Sequence, residues 1–352
     1  MTKTKITNKV IAIFLAVLTF VSVFSATAAA ASNKEKQNKY KVYTALGDSA
    51  SSGFGLKDYY RHNELVLFDM RIKGSYPDIV AKDLKVKKLN PLGVSGIRTS
   101  DLHFLLDSNY SADYITKHDM AMLSENFITE DHLDELRPRY QHAVKESDLI
   151  TLDIGFDDIW VPTIACIYDI AEDGRFDGKD ADKTLREKVA IYGSYRVVLQ
   201  NVIAYLMAWF THPHKWLGYW EQWVETVLTF LNSFFYNYNE VVRQIYKLNP
   251  KVTVVGMGCY NPCYGWDLLP NDRAVQRAIQ PYYDLVNAEK AKYEKLYDNY
   301  IFVDTDGIEL MSNETTLPLY ENLTYDESGF NPHPTAKSHR ILAGRVEAAL
   351  GF

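Results

Sequence analysis

Cysteine is almost absent from this chain of 352 residues, which holds only Cys166, Cys259 and Cys263. Three thiols do not make a disulfide scaffold, and their spacing matches no zinc site. Buried thiols with at most one local bridge, Cys259–Cys263, are the expectation. Basic excess is also missing: the formal charge is −7, and an acidic chain is a poor nucleic-acid binder, because phosphates select basic patches. There are no internal repeats, which excludes solenoid and propeller architectures. Beyond the first apolar stretch no second run of roughly 18 apolar residues follows, so no further membrane span is expected.

What is present begins with a leader. Lys3, Lys5 and Lys9 precede an apolar run from Val10 to Phe24, and Ser25 to Ala31 supplies small residues of the A-x-A kind. This pattern predicts a secretory signal peptide over residues 1–31, cleaved after Ala31 or Ala28. No cysteine stands at the cleavage region, which argues against a lipid anchor. Removing the leader with its lysines takes the formal charge from −7 to −10. The mature protein is expected to be secreted, extracellular or held at the cell envelope, without a stable membrane span. Residues 32–39 are polar and read as a disordered lead-in. The remainder suffices for one large α/β domain with insertions or for two small ones.

Along residues 40–352 strand-like and helix-like segments alternate. Lys41–Leu46, Val86–Leu89, Asp148–Ile154, Val252–Met257 and Tyr300–Asp304 read as strands. Ser75 is placed to cap a helix running to Leu84 with Pro77 in its first turn. Thr99–Leu106, Leu133–Lys145, Asp272–Leu296 and Thr335–Leu350 also read as helices, the second starting or kinking at Pro138. The alternation predicts a doubly wound parallel sheet of about five strands. Residues 109–131 are irregular. An aromatic-rich insertion at about 166–238 reads as a helical hairpin, with Val198, Val202, Tyr205 and Trp209 on one helix. Trp220, Trp223, Val227, Phe230 and Phe234 mark the other. Most of these aromatics are expected to pack on each other and on the sheet, a minority to cap an apolar groove. His212-Pro213-His214 between them reads as a surface turn rather than a metal site.

Polar groups recur at strand ends, where parallel sheets place their ligands. Gly47-Asp48-Ser49 follows the first strand, two glycines, Gly93 and Gly96, lie in the loop after the second, and Gly155-Phe156-Asp157-Asp158 follows the third. Each could be no more than a turn or a helix cap. His333, between Pro332 and Pro334, stands on a rigid loop where a general base would be held in place.

In this chain order the residues resemble the SGNH, or GDSL-like, hydrolase family. Gly47-Asp48-Ser49 matches the first block, Asn90–Leu102 the second, Gly155-Phe156-Asp157-Asp158 the third and His333-Pro334 the last, with Ser338-His339 resembling the Gly-His that often follows. The resemblance implies a flavodoxin-like three-layer α/β/α fold and carboxyl-ester hydrolysis with neither metal nor cofactor. It makes Ser49 the nucleophile, His333 the base, and Ser49, Gly96 and Asp157 the oxyanion hole. The substrate would be an acyl ester of a lipid or an acylated glycan. Two departures stand out. The family's oxyanion asparagine is Asp157 here, which donates a hydrogen bond only when protonated, in a desolvated site. The acid three residues before the histidine is Phe330, leaving Asn331, a backbone carbonyl, Asp326 or Asp304 to orient His333, or a bare Ser–His pair. The competing class is a non-catalytic lipid- or glycan-binding protein that keeps the hydrolase fold.

Overall fold

The computed structural model describes residues 39–59, 70–110, 130–160, 217–262, 264, 273–311 and 332–352. The leader, Cys166, Cys263, the first helix of the aromatic insertion and His212-Pro213-His214 lie outside the described residues.

Five strands, β1 (Val42–Gly47), β2 (Lys88–Gly93), β3 (Leu149–Asp153), β4 (Thr253–Met257) and β5 (Tyr300–Val303), form one parallel sheet in the order β2-β1-β3-β4-β5. This is the flavodoxin-like order, with its switch point between β1 and β3. The helices are α1 (Ser49–Ser52), α2 (Tyr76–Asp83), α3 (Thr99–Leu106), α4 (Glu130–Glu146), α5 (Leu217–Leu248), α6 (Arg273–Ala291) and α7 (Ala336–Ala349). Helix α7 packs on α2, whereas α3, α4, α5 and α6 pack among themselves. Right-handed crossovers running in opposite directions from β1 place these groups on opposite faces, giving three layers. β1, β3 and β4 are buried along almost their whole length, as strands covered on both faces must be. Among the described residues no helix is long and apolar enough to cross a membrane.

Local chemistry sets most boundaries. Ser75 caps α2 by accepting the Asp78 N–H, with Pro77 in the first turn. Thr335 caps α7 through the Ser338 N–H. One expectation is corrected. β2 begins later than Val86 and runs on through Asn90-Pro91 to Gly93. Lys88 N–H donates to Lys41 O and Val94 N–H to Gly47 O, so even positions face β1 and Pro91 turns its missing N–H outward, a position where an edge strand tolerates proline. The second insertion helix and the segment Glu240–Leu248, which reads as the end of a helix before Asn249-Pro250, are one continuous 32-residue helix, Leu217–Leu248. Leu231, Phe234 and Tyr238 on it are core residues, as expected of aromatics that pack on each other and on the sheet. Pro138 lies inside α4 rather than at its start.

Gly47 sets the spacing at the sheet's centre. A Cβ there would stand 2.1 Å from the Asp153 carbonyl oxygen, and that carbonyl already accepts the Asp48 N–H at 2.9 Å. Gly47→Ala must therefore force β1 and β3 apart. It is expected to cost about 3 kcal/mol or more, read as a lowered urea midpoint.

Candidate active site

Ser49 is the first residue of α1 and is 5% exposed. Asp48 caps the helix, its Oδ1 accepting the Ala50 N–H at 3.1 Å. The Ser49 carbonyl accepts the Phe54 N–H at 3.0 Å and the Ser52 hydroxyl at 2.9 Å. Ser52 Oγ also lies 3.3 Å from Ser95 Oγ, which ties α1 to the loop that carries Gly96.

That loop is joined to the one after β3. The Gly96 N–H donates to the Asp157 carboxyl. Asp158 accepts the Thr99 N–H at 3.0 Å and its hydroxyl at 2.6 Å. Gly155, between them, has no room for a side chain, since a Cβ would meet the Phe234 ring at 2.6 Å. Gly96 and Asp157 are thus in direct contact and linked to the helix that Ser49 begins.

His333 arrives from the other side. Its ring centroid lies 4.3 Å from that of Phe54, the residue whose amide holds the Ser49 carbonyl. The His333 carbonyl accepts the Met311 N–H at 2.8 Å. The second histidine, His339, is wholly buried, and its Nδ1 accepts the Tyr76 N–H at 3.2 Å.

Burial dominates the electrostatics. It raises Asp157 to about 7, with Asp158 and Asp101 adding to the rise and Arg98 and the Gly96 N–H opposing it. Asp48 is pushed well up by burial and by Asp153 and Asp157. Asp153 is raised to about 6 by burial, with Lys290 and the Tyr76 hydroxyl opposing. These carboxyls titrate as a set, because adjacent negative charges in one buried place exclude one another. Burial, with His339 beside it, lowers His333 to about 3.

Of the acids considered for orienting His333, Asp304 is exposed and its Oδ1 accepts the Asp306 N–H at 3.0 Å. That oxygen serves its own turn. Asp326, Phe330 and Asn331 lie outside the described residues. Cys259 is a free, buried thiol, not half of a bridge; the Lys290 ammonium donates to its Sγ at 3.1 Å and to the Met257 carbonyl at 2.7 Å.

Sequence reasoning passed over Asp153, Lys290, Phe54 and Tyr76. An acid closing an apolar strand was a readable signal for Asp153. Lys290 carried none, since a lysine on an amphipathic helix ordinarily faces water. Phe156, next to Asp157, packs with Tyr260, Trp160 and Tyr283 at centroid distances of 5.1, 5.8 and 5.9 Å. This builds an aromatic wall beside the carboxyls.

No protein-family model matches the chain, and no curated protein matches it. Among solved structures it is similar to an extracellular lipase from Streptomyces rimosus, 19% identical over 88% of this chain and 99% of that one, with a TM-score of 0.48. A phospholipase A1 from Streptomyces albidoflavus is 18% identical over 88% and 99% of the two chains, with a TM-score of 0.49. A catalytic mutant of an acetylxylan esterase from Geobacillus stearothermophilus is 15% identical over 89% and 94%, with a TM-score of 0.36.

Proposed function

We propose that the chain is an exported serine ester hydrolase of the SGNH type that cleaves acyl esters through a Ser49 acyl-enzyme. One observation carries this reading: Ser49 stands at the sheet's switch point, linked on one side to the Gly96–Asp157 contact and on the other, through Phe54, to His333. His333 takes the Ser49 proton as Oγ attacks the ester carbonyl, and returns it to the departing alcohol. Water then releases the acyl group by the same route. The N–H groups of Ser49 and Gly96 receive the oxyanion. As the first helical residue, Ser49 has an amide that no helical carbonyl takes up. The Phe156 wall supports an apolar or aromatic-stacking acyl or alcohol group.

Asp157 gives the reaction its own pH signature. Ionised, it repels the oxyanion and holds the Gly96 N–H for itself; protonated, it releases that amide and donates as asparagine would. The proton is bound below about 7, so the rate should fall as pH rises through that value. At pH 8 only about one carboxyl in eleven keeps its proton, so Asp157→Asn is expected to be about tenfold faster there and about equal at pH 5. A pH profile of kcat/KM for p-nitrophenyl acetate checks this; an unchanged or slower variant at pH 8 would give the carboxyl a role of its own.

The proposal is tested by turnover of p-nitrophenyl esters from acetate to long-chain acyl, together with fluorophosphonate labelling and mapping of the modified serine. Absence of both turnover and labelling at Ser49 would leave the non-catalytic binding protein, the reading that the Asp157-occupied Gly96 amide favours. Chain-length preference separates a deacetylase from a lipase.

A further inference from the structure

Away from Ser49, the C-terminal end of α3 meets the middle of α5 in an arrangement the ester chemistry does not use. His103 is 1% exposed, and its Nδ1 lies 2.9 Å from Asn237 Oδ1. The Asn237 amide nitrogen donates to the Ser233 carbonyl at 2.9 Å and to its hydroxyl at 3.1 Å. The Asn237 oxygen therefore faces His103, and Nδ1 must carry the imidazole proton. Nε2 is left with a bare lone pair, buried and without a hydrogen-bond partner.

That lone pair points at negative charge. Asp107 Oδ2 lies 3.8 Å from Nε2, and the ligand atoms of His103, Asp107 and Glu240 all fall within 4.8 Å of one another. An unprotonated nitrogen facing two carboxylates is unfavourable unless a cation stands between them. The neighbours orient the carboxylates without covering them. Gln244 Nε2 donates to Asp107 Oδ2 at 2.8 Å and the Asn109 N–H to Oδ1 at 3.0 Å. Arg243 forms an ion pair with Glu240 Oε2 through Nε at 2.9 Å and through Nη2, and among the described residues no donor takes Oε1. The Tyr110 ring lies 4.0 Å from the His103 ring and its hydroxyl reaches Asn237 Oδ1 at 3.3 Å.

We propose that His103 Nε2 and the carboxylates of Asp107 and Glu240 bind a divalent transition-metal ion, Zn²⁺ before others, that clamps α3 to α5. Imidazole with carboxylates suits zinc, whereas Ca²⁺ and Mg²⁺ prefer oxygen alone. The amide–His103 hydrogen bond fixes tautomer and ring angle, as outer-shell partners do for metal-bound histidines. Three protein ligands leave a fourth position for water. Its two ligands on this segment, His103 and Asp107, lie about 6 and 12 Å along the helix axis from the start that Asp158 holds, so the clamp braces the scaffold rather than entering the ester reaction.

The test uses the mature full chain, stripped with EDTA and titrated with Zn²⁺ against a chromophoric chelator, with Ca²⁺ and Mn²⁺ in parallel. Wild type should take up one equivalent, with a Tm rise of about 5 °C in excess Zn²⁺. Glu240→Gln and Asp107→Asn, at partly exposed positions that allow folding, should each weaken Zn²⁺ by about 100-fold or more and abolish the Tm rise. His103→Gln should do the same. No stoichiometric zinc, tighter binding of Ca²⁺ than Zn²⁺, or zinc retained in Glu240→Gln but lost in His212→Ala would each overturn the assignment.

Discussion

Ser49→Ala is expected to lower kcat/KM for p-nitrophenyl acetate by about 10⁴-fold or more, with thermal stability unchanged. The substitution removes Oγ alone. The Ser49 carbonyl keeps the Phe54 amide, Asp48 keeps its bond to the Ala50 N–H, and alanine is a better helix former than serine. A loss of activity cannot then be laid to a loss of structure. The residue of catalysis would come from the oxyanion amides, which persist in the variant. Equal rates in the two proteins would sink the enzyme and leave a binder.

The second large effect is His333→Ala, expected to cost about 10³-fold. A missing base has two signatures that a loosened loop does not share. The first is the shape of the pH profile. His333 must be neutral to accept the Ser49 proton, and burial lowers it to about 3, so wild-type activity should rise as pH climbs through about 3. It should fall again through about 7 as Asp157 ionises. The optimum therefore lies on the acid side of neutral, and the alanine variant should lose the lower limb while keeping the upper. The second signature is rescue: imidazole added to the medium should restore part of the rate to His333→Ala and none to Ser49→Ala. A variant that imidazole cannot rescue and whose lower limb survives would assign the base to another group.

Much of the scaffold was legible because local chemistry agreed with tertiary context. Helix α3 was expected at Thr99–Leu106 and is found there; α2 and α7 begin where Ser75 and Thr335 can cap them. The misreadings arose where a tertiary condition overrode a local rule. Pro91 argues for a loop until β2 is known to lie at the sheet margin. Which of the insertion's aromatics would pack inward was not legible until α5 placed Phe234 and Tyr238 in the core. The site was legible only as separate strand-end loops, and the contact between Gly96 and Asp157, with the burial that raises this carboxyl, is something no spacing rule reports. His103 on α3 and Asp107, which ends it, show an i, i+4 spacing, but Glu240 comes from a helix far along the chain, and the orphaned Nε2 needs Asn237 to be recognised.

The margins of the sheet carry a last consequence. On β2 the outward position falls on Pro91, which has no amide to offer, and on β5 the Phe302 N–H is taken by Glu294 Oε1 at 2.7 Å. Neither outer strand presents an unbroken row of donors for a further strand to join. Interrupted margins of this kind disfavour templated pairing with neighbouring chains and weaken either edge as a place to add an extended peptide.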